Sequence, residues 1–279
     1  MPRTTAPTVP TAPTLADVIS VVDAAYPPAL AEDWDTGIGL TCGDRAAPVR
    51  TVLLAVDVDP STVDEAIEVG ADLLLTHHPL LFRPVQSVAA DRPKGTLIHR
   101  LIRAGVAHLA AHTNADRAAA GVNDALAAVL GLTGTRPLQP AVDDPTLGLG
   151  RIGELPQAVT AREFAAAVAA ALPATVTGAR VAGDPDRTVR RVAVCGGSGG
   201  SLLSVVTDAG VDAFVTSDLG HHVAQEYVAV PGRPVLVDVA HWSGEWPWLL
   251  TAAALLTREL GVRTVVSTRR TDPWTLRTD

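Results

Sequence analysis

The 279-residue sequence contains few cysteine, lysine and aromatic residues. The shortage of cysteine and the shortage of lysine each exclude a class of protein. Two cysteines, Cys42 and Cys195, cannot build a disulfide framework or a zinc ribbon, and they indicate free thiols in a reducing compartment. The only lysine is Lys94, and the formal net charge is −8. Binding of nucleic acid through a basic surface is therefore not expected.

Long apolar runs are also missing. No stretch reaches the roughly 18–20 residues that a membrane-spanning helix needs, although 47% of the residues are hydrophobic. The first 14 residues alternate proline and threonine and lack the apolar segment of a signal peptide, so they predict a disordered tail. We therefore expect a cytoplasmic protein with no membrane partner.

What the chain does contain is an alternation of short apolar segments and helix-like segments. Runs such as Thr51–Val58 and Asp72–Thr76 predict buried strands, and Glu245–Leu260 predicts a long helix. Continuous apolar strands separated by helices favour an α/β fold with a parallel sheet covered on both faces. The aperiodic range Pro137–Leu149 predicts a linker between a first α/β lobe, residues 15–136, and a second, residues 150–279. The C-terminal part of the second lobe is free to pack back on the first.

Histidines and acidic residues gather just after the predicted strands, where α/β sheets bind ligands. The candidates are His77 and His78, then His112 and Asp116, and finally His241 and Glu245. Each pair alone has a structural interpretation as core histidines or helix caps. Together, three histidines, one aspartate and one glutamate match the ligands of a dinuclear transition-metal site.

Two local patterns bear on the kind of site. Adjacent residues on a continuing strand point to opposite faces, so His77 and His78 are expected to reach different ions once the chain turns at Pro79. We expect Glu245 to open the long helix, with its carboxylate at the positive end of the helix dipole. The run Gly196–Gly200 matches neither a phosphate-binding loop nor a dinucleotide fingerprint, and it is interpreted as a tight turn or an anion cradle.

Several short motifs resemble the NIF3-like family of dinuclear metal-centre proteins, which includes the GTP cyclohydrolase 1 type 2 homologues. The similarity runs from Leu15 to Trp274, and the chain resembles the short form, without the domain that some members insert between the lobes. The matching pieces are Asp33–Leu40, Leu75–Leu80, His112–Asp116, Gly196–Gly199, Thr216–Asp218 with His221 and His222, His241 with Glu245, and Asp272–Trp274.

The resemblance implies two interlinked α/β lobes with largely parallel sheets, a metal cleft between them and a toroidal homohexamer. It also implies two divalent ions per subunit. Carried over by position, the metal ligands are His77, His78, Asp116, His241 and Glu245, and His112 either supports a ligand or is an additional one. Histidine and carboxylate ligands do not distinguish Zn, Mn, Fe or Ni.

Such a centre suits hydrolysis of a small-molecule substrate such as a nucleotide, and the family chemistry is opening of a purine ring at the imidazole carbon. His112, or His222 opposite it, is expected to move protons near neutral pH. The alternative is a non-enzymatic metal-binding scaffold or regulatory protein, because the ligand set alone does not separate the two.

Overall fold

A computed structural model describes residues 12–278 of the chain, so most of the predicted N-terminal tail lies outside the described residues. The helices are α1 Leu15–Ala25, α2 Pro60–Glu68, α3 Pro93–Ala104, α4 Thr113–Arg117, α5 Val122–Val129, α6 Ala161–Ala171, α7 Leu203–Asp208, α8 His221–Val228, α9 His241–Glu245 and α10 Pro247–Leu260. The strands are β1 Gly39–Cys42, β2 Thr51–Ala55, β3 Leu73–Thr76, β4 Ala107–Ala110, β5 Thr133–Pro140, β6 Gly148–Thr160, β7 Ala179–Ala182, β8 Thr188–Ser198, β9 Ala213–Ser217, β10 Val235–Val239 and β11 Arg263–Val266.

These strands form two sheets, which confirms the predicted α/β class. The first sheet has the order β1-β4-β3-β2-β11, and only its edge strand β1 is antiparallel to its neighbour. The second sheet has the order β5-β6-β8-β9-β10-β7. Its β8, β9 and β10 are parallel, whereas β5, β6 and β7 pair antiparallel. The second sheet is therefore mixed.

The inner strands of the first sheet are apolar because both of their faces are covered. Leu54 and Leu75 pack in the core that contains α1 and α10, while Leu53 and Leu74 pack in the core that contains α2 and α3. All four leucines are fully buried. Alternate residues of a strand point to opposite faces, so this division places helices on both sides of the sheet.

Local sequence signals set where several helices begin. Thr160 and Glu163 form the capping box of α6 that the sequence predicts. Asp59 caps α2, which starts at Pro60 as predicted. Thr14 caps α1 and bridges Pro48, so the last residue of the predicted tail is held in the fold.

The range 137–149 is not a structureless segment. It holds the end of β5, a turn and the start of β6, and these two strands pair as an antiparallel hairpin. The sequence pattern does not predict this hairpin, because Pro137 and Pro140 are unusual within a strand. Strand β5 is, however, an edge strand, where proline is tolerated. The division of the chain into two lobes at this range stays a prediction.

The last part of the chain returns to the first sheet, where β11 pairs parallel with β2. The segment that carries His241 and Glu245 therefore lies, along the chain, between β10 of the second sheet and β11 of the first. Within residues 12–278, no helix combines the length and the apolar character that crossing a bilayer requires.

Candidate metal centre

The predicted ligands come together at the carboxyl ends of β3, β4 and β10. His77 and His78 directly follow β3, Asp116 lies in α4 after β4, and α9 after β10 carries His241 and Glu245. All except His77 line one cleft with a volume of about 1290 Å³, and His77 is fully buried beside them.

Glu245 lies among three imidazole rings. Its Oε1 is 2.9 Å from His241 Nε2 and 3.4 Å from His77 Nε2, while its Oε2 is 3.1 Å from His78 Nε2. Asp116 Oδ1 is 3.6 Å from the same His77 Nε2. The two carboxylates and the three Nε2 atoms therefore face a common space.

Each histidine of the cluster is oriented by a hydrogen bond between its Nδ1 atom and an oxygen atom. The acceptors are the Ala111 carbonyl for His77 (3.0 Å), Asp57 for His78 (2.7 Å), Asp35 for His112 (2.9 Å) and Asp218 for His241 (2.6 Å). An oxygen acceptor at Nδ1 keeps the proton on that nitrogen and turns the other nitrogen toward the site. Metal-binding histidines in proteins are oriented in this way.

The donor atoms form two overlapping groups. His77, His78 and His112 have ligand atoms within 4.8 Å of one another, and so do His78, His241 and Glu245. His77 and His78 thus belong to one group, with ring centroids 5.0 Å apart. Strand β3 ends at Thr76, so the pair follows the strand as expected from the turn at Pro79. That the two rings reach different ions stays a prediction.

Three buried atoms of the cluster lack a hydrogen bond of good geometry: His77 Nε2, Asp116 Oδ1 and Glu245 Oε2, the last although His78 Nε2 is 3.1 Å away. A buried polar atom without a partner costs about 1–3 kcal/mol, so three at one place indicate that something else satisfies them. Imidazole nitrogen and carboxylate oxygen are the donors that first-row divalent ions take. The residues therefore fit a divalent metal site.

The charges of the cluster shift the pKa values of its members strongly. Burial acts to lower the pKa of His78, but the Glu245 and Asp57 carboxylates outweigh it and raise the pKa to about 10. The charge of Glu245 raises the pKa of His241 to about 11. Burial and the neighbouring Glu245 raise the pKa of Asp116 to about 7. Protons and cations therefore compete for the same atoms.

Glu245 occupies a different helical position from the predicted one. It is the last residue of α9, and the long helix α10 starts at Pro247, a residue suited to the first helical turn. The carboxylate is therefore not at the N-terminus of the long helix. Instead, His241 and Glu245 lie four residues apart on one face of a short helix.

Gly197 is a site residue that the sequence does not single out. Strand β8 continues through Ser198, so Gly196 and Gly197 lie in a strand and not in a turn. A Cβ atom at Gly197 would lie 2.6 Å from Glu245 Oε1 and 3.2 Å from His241 Nε2, and φ is +69°. Only glycine lets the backbone come this close to the cluster.

The two predicted proton carriers have different surroundings. His112 is buried against the cluster, with its ring centroid 5.1 Å from that of His77. His222 is exposed on α8, lies outside the cleft lining, and has a ring contact with His221. The structure does not bring His222 to the candidate centre.

A family model, Duf34/NIF3 (NGG1p interacting factor 3), matches residues 13–273. The chain belongs to the Duf34/NIF3 family. This confirms the resemblance that the strand-end histidine motifs indicate, and the two-sheet fold agrees with a solved member. The crystal structure of a Bacillus cereus protein related to NIF3 has a TM-score of 0.87 and 28% identity, and the match covers 96% of this chain and all of that one.

Other Duf34/NIF3 relatives carry the name GTP cyclohydrolase 1 type 2 homolog. The one from Streptomyces coelicolor is 50% identical over 269 residues, which covers 94% of this chain and 93% of the relative. The one from Mycobacterium bovis is 38% identical over 370 residues, covering 94% and 97%. That alignment is longer than this 279-residue chain, so the mycobacterial relative has segments that this family member lacks.

Proposed function

We propose that this protein binds two divalent metal ions and hydrolyses a small molecule. His77, His78, Asp116, His241 and Glu245 would hold the ions. The observation that carries the proposal is the set of three buried atoms without a hydrogen bond of good geometry, His77 Nε2, Asp116 Oδ1 and Glu245 Oε2, in one cluster of imidazoles and carboxylates.

The arrangement supports two ions more than one. Glu245 directs Oε1 toward His241 and His77 and Oε2 toward His78, so one carboxylate could bridge two cations. His78 belongs to both groups of donor atoms. Divalent ions bound here would lower the pKa of a water molecule and polarise a substrate oxygen.

His112 is the residue proposed to move the proton. Burial works against the charge of Asp35, but hydrogen bonds from His112 and Thr113 outweigh it and lower the pKa of Asp35 to about 2. Asp35 therefore stays ionised and accepts the His112 Nδ1–H, which fixes the orientation of the ring beside the cluster. A histidine oriented in this way is suited to move a proton as a general acid or base.

The substrate class and the assembly rest on relatives. The name GTP cyclohydrolase 1 type 2 homolog supports a small-molecule substrate related to GTP. A homohexamer is what the family resemblance implies, and the two free cysteines support a reducing compartment such as the cytoplasm. Both remain proposals for this chain.

The test loads metal-stripped protein separately with Zn, Mn, Fe and Ni, and measures metal content by mass spectrometry. Hydrolysis of GTP, other nucleotides and phosphoesters is then assayed. We expect His241→Ala to lose metal and turnover, and His112→Gln to lower turnover roughly 100-fold. Retained metal in His112→Gln supports a proton carrier, whereas lost metal makes His112 an additional ligand. His99→Ala, on α3 and outside the cleft lining, is the matched control and should change neither.

Full metal occupancy without turnover above the metal-free control would contradict the hydrolase. The protein would then be a non-enzymatic metal-binding scaffold or regulator. Failure to bind any of the four metals would contradict the metal centre itself.

A further inference from the structure

Aromatic residues make up only 4% of the chain, yet three of them line the cleft and are exposed. The exposed fractions are 59% for Trp34, 44% for Phe82 and 64% for Trp274. Within residues 12–278, no other aromatic side chain is exposed. Exposed aromatic side chains gathered at one cavity indicate a surface that binds a ligand.

Trp34 and Phe82 form a continuous aromatic wall that ends at the candidate metal centre. Their ring centroids are 5.9 Å apart, in edge contact. Both also meet the ring of His112, at 6.1 Å for Trp34 and 5.8 Å for Phe82. The planes of Trp34 and Phe82 meet at 66°, so a flat ring that stacks on one of them meets the edge of the other, close to His112.

The wall is fixed relative to the proposed ligands. Asp35, next to Trp34, accepts hydrogen bonds from the backbone and the hydroxyl of Thr113. Gly37 packs so closely on Pro79 that a Cβ atom would lie 2.9 Å from the proline ring. The segment that carries Trp34 is thus held against the segments that follow His78 and His112.

The charge of the cleft is unsuited to a ligand with many negative charges. Its lining has seven acidic side chains and two arginines, a formal charge of −5. Two divalent ions would bring this to −1. Both arginines are already paired, Arg117 with Glu32 at 2.8 Å and Arg180 with Asp238. No unpaired basic side chain in the described lining is available for a phosphate chain.

We propose that the cleft binds a planar heteroaromatic compound without a polyphosphate chain. Its ring stacks on one of the two rings, Trp34 or Phe82, and meets the edge of the other, and its reacting edge faces His112. The direction of the reacting edge rests on the proposed hydrolase, whereas binding on the aromatic wall does not. The substrate would then differ from GTP in charge, although it shares a flat ring.

Calorimetric titration of the metal-loaded protein tests the proposal. The probes are guanosine, uridine and nicotinamide riboside, each beside its phosphorylated form: GTP, UTP and nicotinamide mononucleotide. At least one nucleoside should bind with a Kd no larger than that of its phosphorylated form. Trp34→Ala and Phe82→Ala should each raise that Kd about fivefold or more, as loss of ring stacking does.

Two further variants separate stacking from structural damage. Trp34→Phe keeps a flat ring and should recover most of the affinity. Ile102→Ala is the matched control, because Ile102 on α3 has the same exposed fraction as Trp34, 59%, and lies outside the cleft lining. Metal content is measured for every variant, so that a change in Kd is assigned to the wall only when the metal is retained.

The proposal is overturned if none of the three nucleosides binds. It is also overturned if every nucleoside that binds has a Kd at least tenfold larger than that of its phosphorylated form. A Kd that is unchanged in Trp34→Ala would overturn it as well. A change in oligomeric size with unchanged Kd would assign the wall to a contact between copies of the chain and also overturn it. Binding without turnover would contradict the hydrolase alone, so the two failures are distinguishable.

Discussion

Gly197 carries no functional group, yet it sets how closely β8 approaches Glu245. We expect Gly197→Ala to weaken metal binding at least tenfold, because its Cβ would lie 2.6 Å from Glu245 Oε1 and must displace that carboxylate. The positive φ of +69° adds about 1–2 kcal/mol of destabilisation. Metal titration and chemical unfolding measure the two effects separately.

Gly210→Ala is the control for that variant. Gly210 has a similar φ, +62°, but a Cβ there would meet nothing within 4 Å. It should lose comparable stability and keep its metal affinity. Equal metal affinity in both variants would show that the close approach of Gly197 does not matter for the site.

His108 makes a pH-dependent contribution to stability away from the cluster. It is fully buried, and burial lowers its pKa to about 4. The unfolded chain takes up this proton near pH 6.5 and the folded chain only near pH 4. Stability is therefore complete above pH 6.5 and falls by up to about 3 kcal/mol as the pH drops toward 4.

His108→Gln removes the titrating group and retains a donor for Thr76 Oγ1, which His108 Nε2 contacts at 2.9 Å. We expect the free energy of unfolding of the variant, measured by urea between pH 4 and 7.5, to fall less with acid than that of the original chain. Parallel pH curves for the two proteins would contradict the prediction.

Sequence patterns locate the proposed ligands better than the residues that orient them. Strand ends mark His77, His78 and His241 directly, because ligands bind at the carboxyl ends of parallel strands. Asp57, by contrast, orients His78 from 21 residues away along the chain. Such pairs join different strands, and a pattern along the chain does not reveal which strand ends become neighbours.

At the scale of elements, buried parallel strands are predictable and antiparallel edge strands are not. Strand β3 is buried at every position because helices cover both of its faces, so it is a continuous apolar run. Strand β7, Ala179–Ala182, has no fully buried residue and no such run. It forms because it can pair with the edge of β10, a contact that its own sequence does not signal.

Asn123 of helix α5 makes hydrogen bonds to two backbone segments that border the candidate centre. The buried Asn123 donates to the carbonyl of Asp116 at 2.8 Å and accepts from the backbone N–H of Gly196 at 2.9 Å. Asn123→Ala should weaken metal binding about 10–100-fold, because Asp116 and Gly196 both lose a hydrogen bond to the same side chain. It should also lower the free energy of unfolding by about 2 kcal/mol.

Asp212→Ala is the matched control, since Asp212 accepts from two backbone N–H groups, of Arg190 and Arg191, at the opposite end of β8. It should lose similar stability without a change in metal affinity, measured by competition with a chelator. If both variants keep full metal affinity, Asn123 serves the fold alone.

At the scale of the whole molecule, the proposed ligands come from both sheets. His77, His78 and Asp116 follow strands of the first sheet, whereas His241 and Glu245 follow β10 of the second. The chain then returns through α10 to pair β11 with β2. That pairing joins segments about 200 residues apart. Periodicity along the sequence predicts each strand, but it does not predict a partner at that distance.

Because the centre joins the two sheets, bound metal should stabilise the molecule as a whole. A ligand that binds only the folded state adds about 2.7 kcal/mol at 100 times its Kd, which corresponds to roughly 5 °C in Tm for a chain of this size. Removing metal with a chelator should lower Tm by that amount and reduce hydrogen-exchange protection at β3 and β10 together. Glu245→Gln should abolish the response, while Glu259→Gln, on the exposed end of α10, should retain it. Metal binding with an unchanged Tm, or loss of protection in one sheet alone, would contradict a centre that holds the two sheets together.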